Sequence, residues 1–495
     1  VLTVTEGPGL DMGLNRAFLA TTGEQHRQAE TKYTLDHLVT PQNHCSAQDY
    51  NKPYNFLGVP CHLYIPPGKQ FKRTALQGNI FTHHKGLGEF MKRLLAALIL
   101  GLTVSAQGQV WKTLPKGVRI LGYRNVTTSK VKSNYNQFRS ESSLGSEFRL
   151  DATTLNSIAN NVIVPGEDIN ADAYNNFLIG EYKIDAAAQF NVHGLGFGYG
   201  ITDKVMLYAE VAFYNAQVQT NIKRTKKNTY GDTSNILHNS EGGGVSEEAL
   251  ADNIKNLPDV DEAVIQSAIT RHYGYKPIGD WTGAGYGDME TGLMAKVIDK
   301  GIWGVMLYPG LILPTGRQDD PDILQDVGFG DGQFDVFGEV GTGYVVNDNL
   351  SFGSTFRYTY QMPTQKELRI PESRDFPLSD RKGDFNVKYG DRLNWMVNST
   401  FGLNDWISFT PMYRFMYQMP SEYSSEFSQA DEYLSYNTSK VEHQVQLTTS
   451  LSSIQPFLKK KFLLPAQINM NLVQTVGGKN VPKVGRFELE LRMLF

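Results

Sequence analysis

The sequence predicts an all-β chain: a closed antiparallel transmembrane β-barrel of about twelve strands, with long external loops and one partly helical loop insertion. Three observations carry that prediction. Apolar and polar residues alternate with period two in segments of about ten residues. Tight Asn/Asp/Gly turns take turns with long polar connections along the chain. The composition holds 26 Phe, 25 Tyr and 47 Gly, which suits aromatic girdles and closely packed strands.

The 495 residues carry a formal charge of -4, with a pI near 6.2 and a mean hydropathy of -0.34. That balance gives no electrostatic case for a nucleic-acid partner. One apolar stretch stands out, Leu94 to Leu102. At about nine residues it is too short to cross a bilayer as a helix, which takes about 20. Low hydropathy still allows a barrel, because only every second strand residue faces lipid.

Met91 opens a secretory signal over 91–106: Lys92 and Arg93 are basic, Leu94 to Leu102 apolar, and Val104-Ser105-Ala106 a small-residue cleavage site. The mature chain is then expected to begin near Gln107 and to devote 107–495 to the barrel. Residues 1–90 read as a disordered upstream extension of the reading frame, the alternative being a real soluble extension followed by a buried or membrane-anchored helix. Both cysteines, Cys45 and Cys61, and six of the ten histidines precede Met91, in no standard zinc spacing. A mature chain without cysteine has neither a disulfide nor a thiolate nucleophile, and suits export.

Strands are expected to begin near Gly117, Tyr182, Lys204, Gly287, Ile302, Gly332, Leu350, Phe385, Trp406, Val441, Leu464 and Arg486. In Leu350 to Gln361, Leu350, Phe352, Phe356, Tyr358 and Tyr360 alternate with Ser351, Gly353, Thr355, Arg357, Thr359 and Gln361. The segments from Ile407 and from Arg486 behave alike. The Tyr182 strand changes apolar parity around Gly194, which predicts a bulge there. Tight turns fall at Ile201-Thr202-Asp203, Asp299-Lys300-Gly301, Val346-Asn347-Asp348 and Leu403-Asn404-Asp405. Long connections fall at 223–284, 317–330, 365–384 and 419–438. In the 223–284 insertion, Asp259 and Glu262 form an approximate capping box for a helix with Val260, Val264, Ile265, Ala268 and Ile269 as its apolar stripe. That helix should dock on the other loops or act as a plug at a pore mouth. The aromatic terminus, Phe495, resembles the signal by which the barrel assembly machinery recognises outer-membrane barrels.

Three glycine motifs sit at strand ends: Gly285-Tyr286-Gly287-Asp288, Leu313-Pro314-Thr315-Gly316, and Gly328-Phe329-Gly330 ahead of Asp335. Singly, they read as close backbone approaches and as a proline that ends a strand. The third lacks the Gly-Lys-Ser/Thr of a phosphate loop. In order and spacing the set resembles the outer-membrane family named for the phenol meta-pathway (MetA-pathway of phenol degradation), which is similar to the transporters for fatty acids and aromatic hydrocarbons. The resemblance covers about 180–495. It implies an outer-membrane channel or transporter for small solutes, aromatic or otherwise hydrophobic. Outer-membrane lipid and lipopolysaccharide are the expected surroundings, and no cofactor is expected. The 223–284 insertion departs from the family pattern.

Parity places Glu210, Glu290, Lys296, Glu339, Arg357, Lys388, Arg392, Arg414, Glu488, Glu490 and Arg492 on the inner, pore-lining face. Mixed charges there either satisfy one another or select solutes. Arg357, Arg392 and Arg414, on successive strands, form a basic ladder in the second reading. The alternative class is a lipid-modifying enzyme, for which His193 and His443 are the candidate bases; neither has a serine at a dyad spacing. A purely structural envelope barrel is a third reading. Asp319, Asp320, Asp322, Asp326 and Asp331 crowd one loop, either as a solvated acidic loop or as a weak calcium site.

Overall fold

Side chains that alternate between two environments need a sheet with two unlike faces, and a closed sheet supplies them without an edge. The computed structural model describes residues 111–154, 170–239, 245–374 and 378–495. The 1–90 extension, the 91–106 signal and the Gln107 start lie outside the described residues.

Twelve strands form the wall: β1 (Arg119–Thr128), β2 (Leu178–Thr202), β3 (Val205–Lys226), β4 (Met289–Asp299), β5 (Trp303–Leu313), β6 (Asp335–Asn347), β7 (Leu350–Gln361), β8 (Arg392–Gly402), β9 (Ile407–Gln418), β10 (Lys440–Ser452), β11 (Ala466–Lys479) and β12 (Gly485–Leu494). Each pairs antiparallel with the next in sequence. β12 returns to β1 from Ile120↔Leu494 to Thr128↔Arg486. The barrel is therefore an up-and-down meander with every wall strand paired on both sides.

Burial follows the alternation. On β7, Phe356 is 48% exposed and its neighbour Arg357 is 6% exposed. Leu207, Leu307, Val336, Trp395, Leu447 and Phe487 all point outward and are exposed. A continuous apolar belt of this kind is stable against lipid rather than water. No helix among the described residues is long and apolar enough to cross a membrane.

The tight turns and both ends of the described chain lie at one rim; the long connections lie at the other. β2 and β3 rise beyond the wall at the long-loop rim, where Ser146–Asp151 pairs with β2 and Trp281–Tyr286 pairs with β3. Helices α1 (Tyr230–His238), α2 (Val245–Lys255) and α3 (Glu262–Ser267) pack there. Their core includes Phe177, Ile179, Tyr230, Leu237, Ala251 and Ile254. The insertion docks on other loops: Lys276 N–H donates to the Asp322 carbonyl at 2.8 Å, and Gln325 donates to the Pro277 carbonyl at 3.0 Å.

Three expectations change. The run from Phe385 does not enter the wall: Lys382–Lys388 joins a separate sheet with Thr364–Arg369 and Glu422–Ser424, and the wall strand begins at Arg392. β2 carries no bulge at Gly194; its irregularities fall at Glu181/Tyr182 and Gly200/Thr202. Asp261, not Asp259, caps α3 by accepting from Val264 N–H at 2.9 Å, while Asp259 pairs with Arg224 at 2.7 Å.

Candidate functional site

The lumen is unlike on its two sides. On β2 to β6 the inward residues are largely apolar, including Phe190, Val192, Met206, Tyr214, Met306 and Phe337. On β7 to β12 they are polar, including Thr355, Gln418, Gln444, Ser450, Asn471 and Glu488. Polar groups on that side satisfy one another in pairs: Ser450 donates to Asn469 at 2.7 Å, and Thr448 donates to Asn471 at 2.7 Å.

At the tight-turn rim the chain ahead of β1 enters the lumen. The Trp111 ring is fully buried among Ile120, Met206, Met306 and Phe337. It lies on Gly304 and Gly343, which are register partners on β5 and β6, and a Cβ on either glycine would collide with the ring. Thr113 Oγ1 donates to the Asp203 carbonyl at 2.9 Å, and Lys116 N–H donates to Asp203 Oδ1 at 2.9 Å, fixing the segment to the β2–β3 turn.

Above this floor the predicted inward charges resolve into groups. Arg357 Nε donates to Glu339 at 2.6 Å and its Nη1 to Glu290 at 2.9 Å. Tyr208 donates to the second Glu290 oxygen at 2.8 Å, and the guanidinium lies 4.0 Å from the Phe337 ring centroid. Across the lumen Glu488 accepts from Arg486 at 2.7 Å and Glu490 from Arg492 at 2.8 Å. Arg124 stands 3.9 and 4.0 Å from these two carboxylates. Arg392 lies 3.5 Å from Asp335, and Lys296 lies 3.4 Å from Asp299.

The three arginines do not stand level. Arg357 is registered with Asn394, Arg392 with Thr359, and Arg414 with Met396, so each occupies a different rung. Lys388 departs from the expectation altogether: it ends a strand of the separate loop sheet, with its Nζ 5.3 Å from the Tyr360 ring centroid.

At the long-loop end of the wall the three glycine motifs converge. Gly287 and Asp288 interrupt the line from Trp281–Tyr286 into β4. Asp288 Oδ1 accepts from Gly316 N–H at 2.8 Å and its Oδ2 accepts from Asp331 N–H at 3.1 Å. Thr315 Oγ1 donates to the Gly287 carbonyl at 3.1 Å. Gly316 and Gly330 are in backbone contact, since a Cβ on Gly316 would sit 2.6 Å from Gly330 Cα. The Phe329 ring stacks on Tyr214 with centroids 5.2 Å apart. Burial, reinforced by the charge of Asp331, pushes the Asp288 carboxyl up to about 6.

The acidic loop is neutralised by cations. Arg317 makes a bidentate contact with Asp326 at 2.9 and 2.7 Å. Lys276 bonds Asp320 at 2.9 Å, while Arg369 and Lys382 reach Asp322 at 2.6 and 3.1 Å. Lys366 lies 3.8 Å from Asp319. No metal-binding cluster of His, Cys, Asp and Glu occurs among the described residues. The two candidate histidines face outward; Tyr123 shares a hydrogen bond with His193 at 2.9 Å and Tyr413 with His443 at 2.7 Å.

Sequence reasoning missed Trp111, Arg124, Tyr208 and Arg486. The last three share the inward parity of the predicted set and were findable by it. Trp111 precedes the first strand, where period-two reading has no purchase.

No family model matches the chain, and no curated protein matches it. Among solved structures, an outer membrane channel from Pseudomonas putida F1 aligns at 12% identity and a TM-score of 0.46, over 79% of this chain and 100% of that one. The toluene transporter of Ralstonia pickettii aligns at 10% identity and a TM-score of 0.31, over 77% of this chain and 90% of that one. The CymD monoaromatic hydrocarbon channel aligns at 10% identity and a TM-score of 0.26, over 77% and 88%.

Proposed function

We propose that the protein is an outer-membrane channel or transporter, without enzymatic activity, for small solutes that are aromatic or otherwise hydrophobic. The observation that carries this reading is the two-sided lumen: a closed barrel with Phe190, Met206, Met306 and Phe337 on one inner wall and hydrogen-bonded polar side chains on the other. These side chains are packed and buried, so a weakly polar solute passes by parting apolar side chains on one side and hydrogen-bonded ones on the other. The aromatic part of the reading also accords with the phenol meta-pathway resemblance of the three glycine motifs.

In this reading the long loops face outside and the tight turns face the periplasm. Outer-membrane lipid and lipopolysaccharide surround the belt, and the barrel assembly machinery is the partner for its insertion. Glu290, Glu339, Arg357, Arg392, Arg414, Glu488, Glu490 and Arg492 line the pore and Lys296 its lower end; the ion pairs of Arg357, Arg392, Lys296, Glu488 and Glu490 make these residues shape the lumen more than they select charge.

The test is conductance of the purified protein in planar bilayers, together with uptake of phenol and of toluene into liposomes. Small single-channel currents that an aromatic solute blocks, with uptake above empty liposomes, are the expected result. Absence of both current and aromatic uptake overturns the proposal.

A further inference from the structure

The tight-turn rim carries one connection unlike the rest. Between β10 and β11 the chain makes a one-turn helix, Ile454–Leu458, and then runs Lys459-Lys460-Lys461-Phe462-Leu463-Leu464. Every residue from Phe457 to Leu464 is exposed. Leu463 is 95% exposed and Leu458 65%. Five large apolar side chains around three lysines cannot be a water-solvated turn at low cost.

The connection is nevertheless firmly placed. Ser453 Oγ accepts from Ala466 N–H at 2.9 Å and closes its base. Lys459 bonds Asp405 of the β8–β9 turn at 2.6 Å, and Phe462 meets Trp406 edge to face with centroids 5.1 Å apart. Its apolar side chains continue the barrel's outer belt, because Leu451 and Ile468, at the adjoining ends of β10 and β11, are outward and exposed. They are register partners.

We propose that this connection is a lipid anchor for the leaflet at the tight-turn rim. Phe457, Leu458, Phe462, Leu463 and Leu464 enter the acyl region, and Lys460 and Lys461 meet the phosphates of anionic phospholipid. The occupant follows from two features. The apolar residues extend a surface that already faces lipid, so a water-soluble partner would have to displace lipid to reach them. Lys460 and Lys461 beside that surface complement an anionic headgroup layer, and an aromatic residue at the rim, Trp406, is typical of the membrane interface. The inference rests on the reading of the barrel as membrane-spanning.

The experiment uses the full chain in nanodiscs of phosphatidylcholine and phosphatidylglycerol, with co-purified lipid counted by native mass spectrometry. The unaltered protein should retain phosphatidylglycerol in preference. Lys460→Gln with Lys461→Gln should lower that preference about thirtyfold, and Phe462→Ser with Leu463→Ser should lower retention of both lipids. Heat-modifiable gel migration confirms that each variant is a folded barrel. No preference in the unaltered protein, or an unchanged preference in the lysine variant, overturns the anchor while leaving the barrel reading intact. Failure of the unaltered protein to enter nanodiscs sinks the barrel reading itself. A photoreactive residue placed at Leu463 should label phospholipid in cells; a protein adduct there would also overturn the anchor.

Discussion

Arg357 is the residue on which the inner charges turn, because it neutralises two carboxylates that are themselves buried. Its guanidinium and both partners, Glu290 and Glu339, are buried, so the gain of keeping the pair is small but the loss on breaking it is large. Arg357→Gln is expected to cost about 3–5 kcal/mol. Urea unfolding in detergent micelles should show a lowered midpoint, and a midpoint equal to that of the unaltered protein would show that water reaches the carboxylates. Asp288 gives a second case with a pH signature. Its carboxyl is pushed up to about 6, first by burial and then by Asp331, against about 3.9 in an unfolded chain. The folded state therefore holds the proton more tightly. The stability this adds is full below about pH 4 and is lost as the pH rises through 6. Relative to Asp288→Asn, the unaltered protein should gain about 1–3 kcal/mol between pH 7.5 and pH 4. Parallel urea curves for the two proteins at those pH values measure the difference, and identical pH dependence would contradict it.

At the scale of elements, the entering segment is held by ring-on-glycine contact. Trp111→Ala removes the ring that fills the floor, and Gly343→Leu ejects it by collision with the ring. Trp111→Ala should raise single-channel conductance by about twofold or more, and Gly343→Leu, which puts a smaller side chain into the same space, should raise it less. An unchanged conductance in Trp111→Ala would mean that the ring does not narrow the pore. The strands themselves were readable because lipid outside and packed side chains inside impose period two. Where the reading slipped, the physics is local. On β2 the apolar residues pass from the inner face, at Phe190 and Val192, to the outer face, at Leu195 and Phe197. The strand itself continues without a shift, because the inner face is apolar near Phe190 and glycine at Gly194, Gly196 and Gly198. Hydrophobicity changed sides and mimicked a bulge. The Phe385 run alternates as a wall strand would, but period two does not say which sheet a strand joins. Asp259 and Asp261 both offer a capping carboxylate, and the contest was settled by Arg224, a residue on β3 that no local window contains.

For the whole molecule, the barrel and the inward parity of most charges could be read from the sequence, whereas the partners of those charges could not. Pairing depends on which strands meet across the lumen, and Arg124 finds Glu488 and Glu490 only because β12 closes onto β1. The same holds for the loops. The segment from Gly316 to Gly332 looks like an acidic loop in isolation, yet in the molecule it is the hub of the long-loop rim. Its carboxylates draw in Lys276 from the insertion and Lys366, Arg369 and Lys382 from the separate loop sheet. Asp322 receives cations from both strands of one hairpin, while its own N–H and carbonyl join Asp320 and Lys276. Single exposed ion pairs contribute little, about 0–1 kcal/mol each, but Arg369 is mostly buried and also donates to the Tyr273 and Gly274 carbonyls at 2.9 and 3.0 Å. Removing the Asp322 charge thus loosens three segments at once. Asp322→Asn is expected to cost about 1–2 kcal/mol locally, or about 5- to 30-fold in exchange rate. Hydrogen–deuterium exchange should speed up by that factor in 273–278, 366–374 and 378–382 and stay unchanged in β9 to β12. Because Asp319, Asp320, Asp322 and Asp326 each already face a cation, calorimetric titration of the unaltered protein with millimolar calcium should give no binding heat. Exchange that accelerates nowhere, or a calcium isotherm that Asp322→Asn abolishes, would show that the loop is held by a metal ion rather than by its neighbours' lysines and arginines.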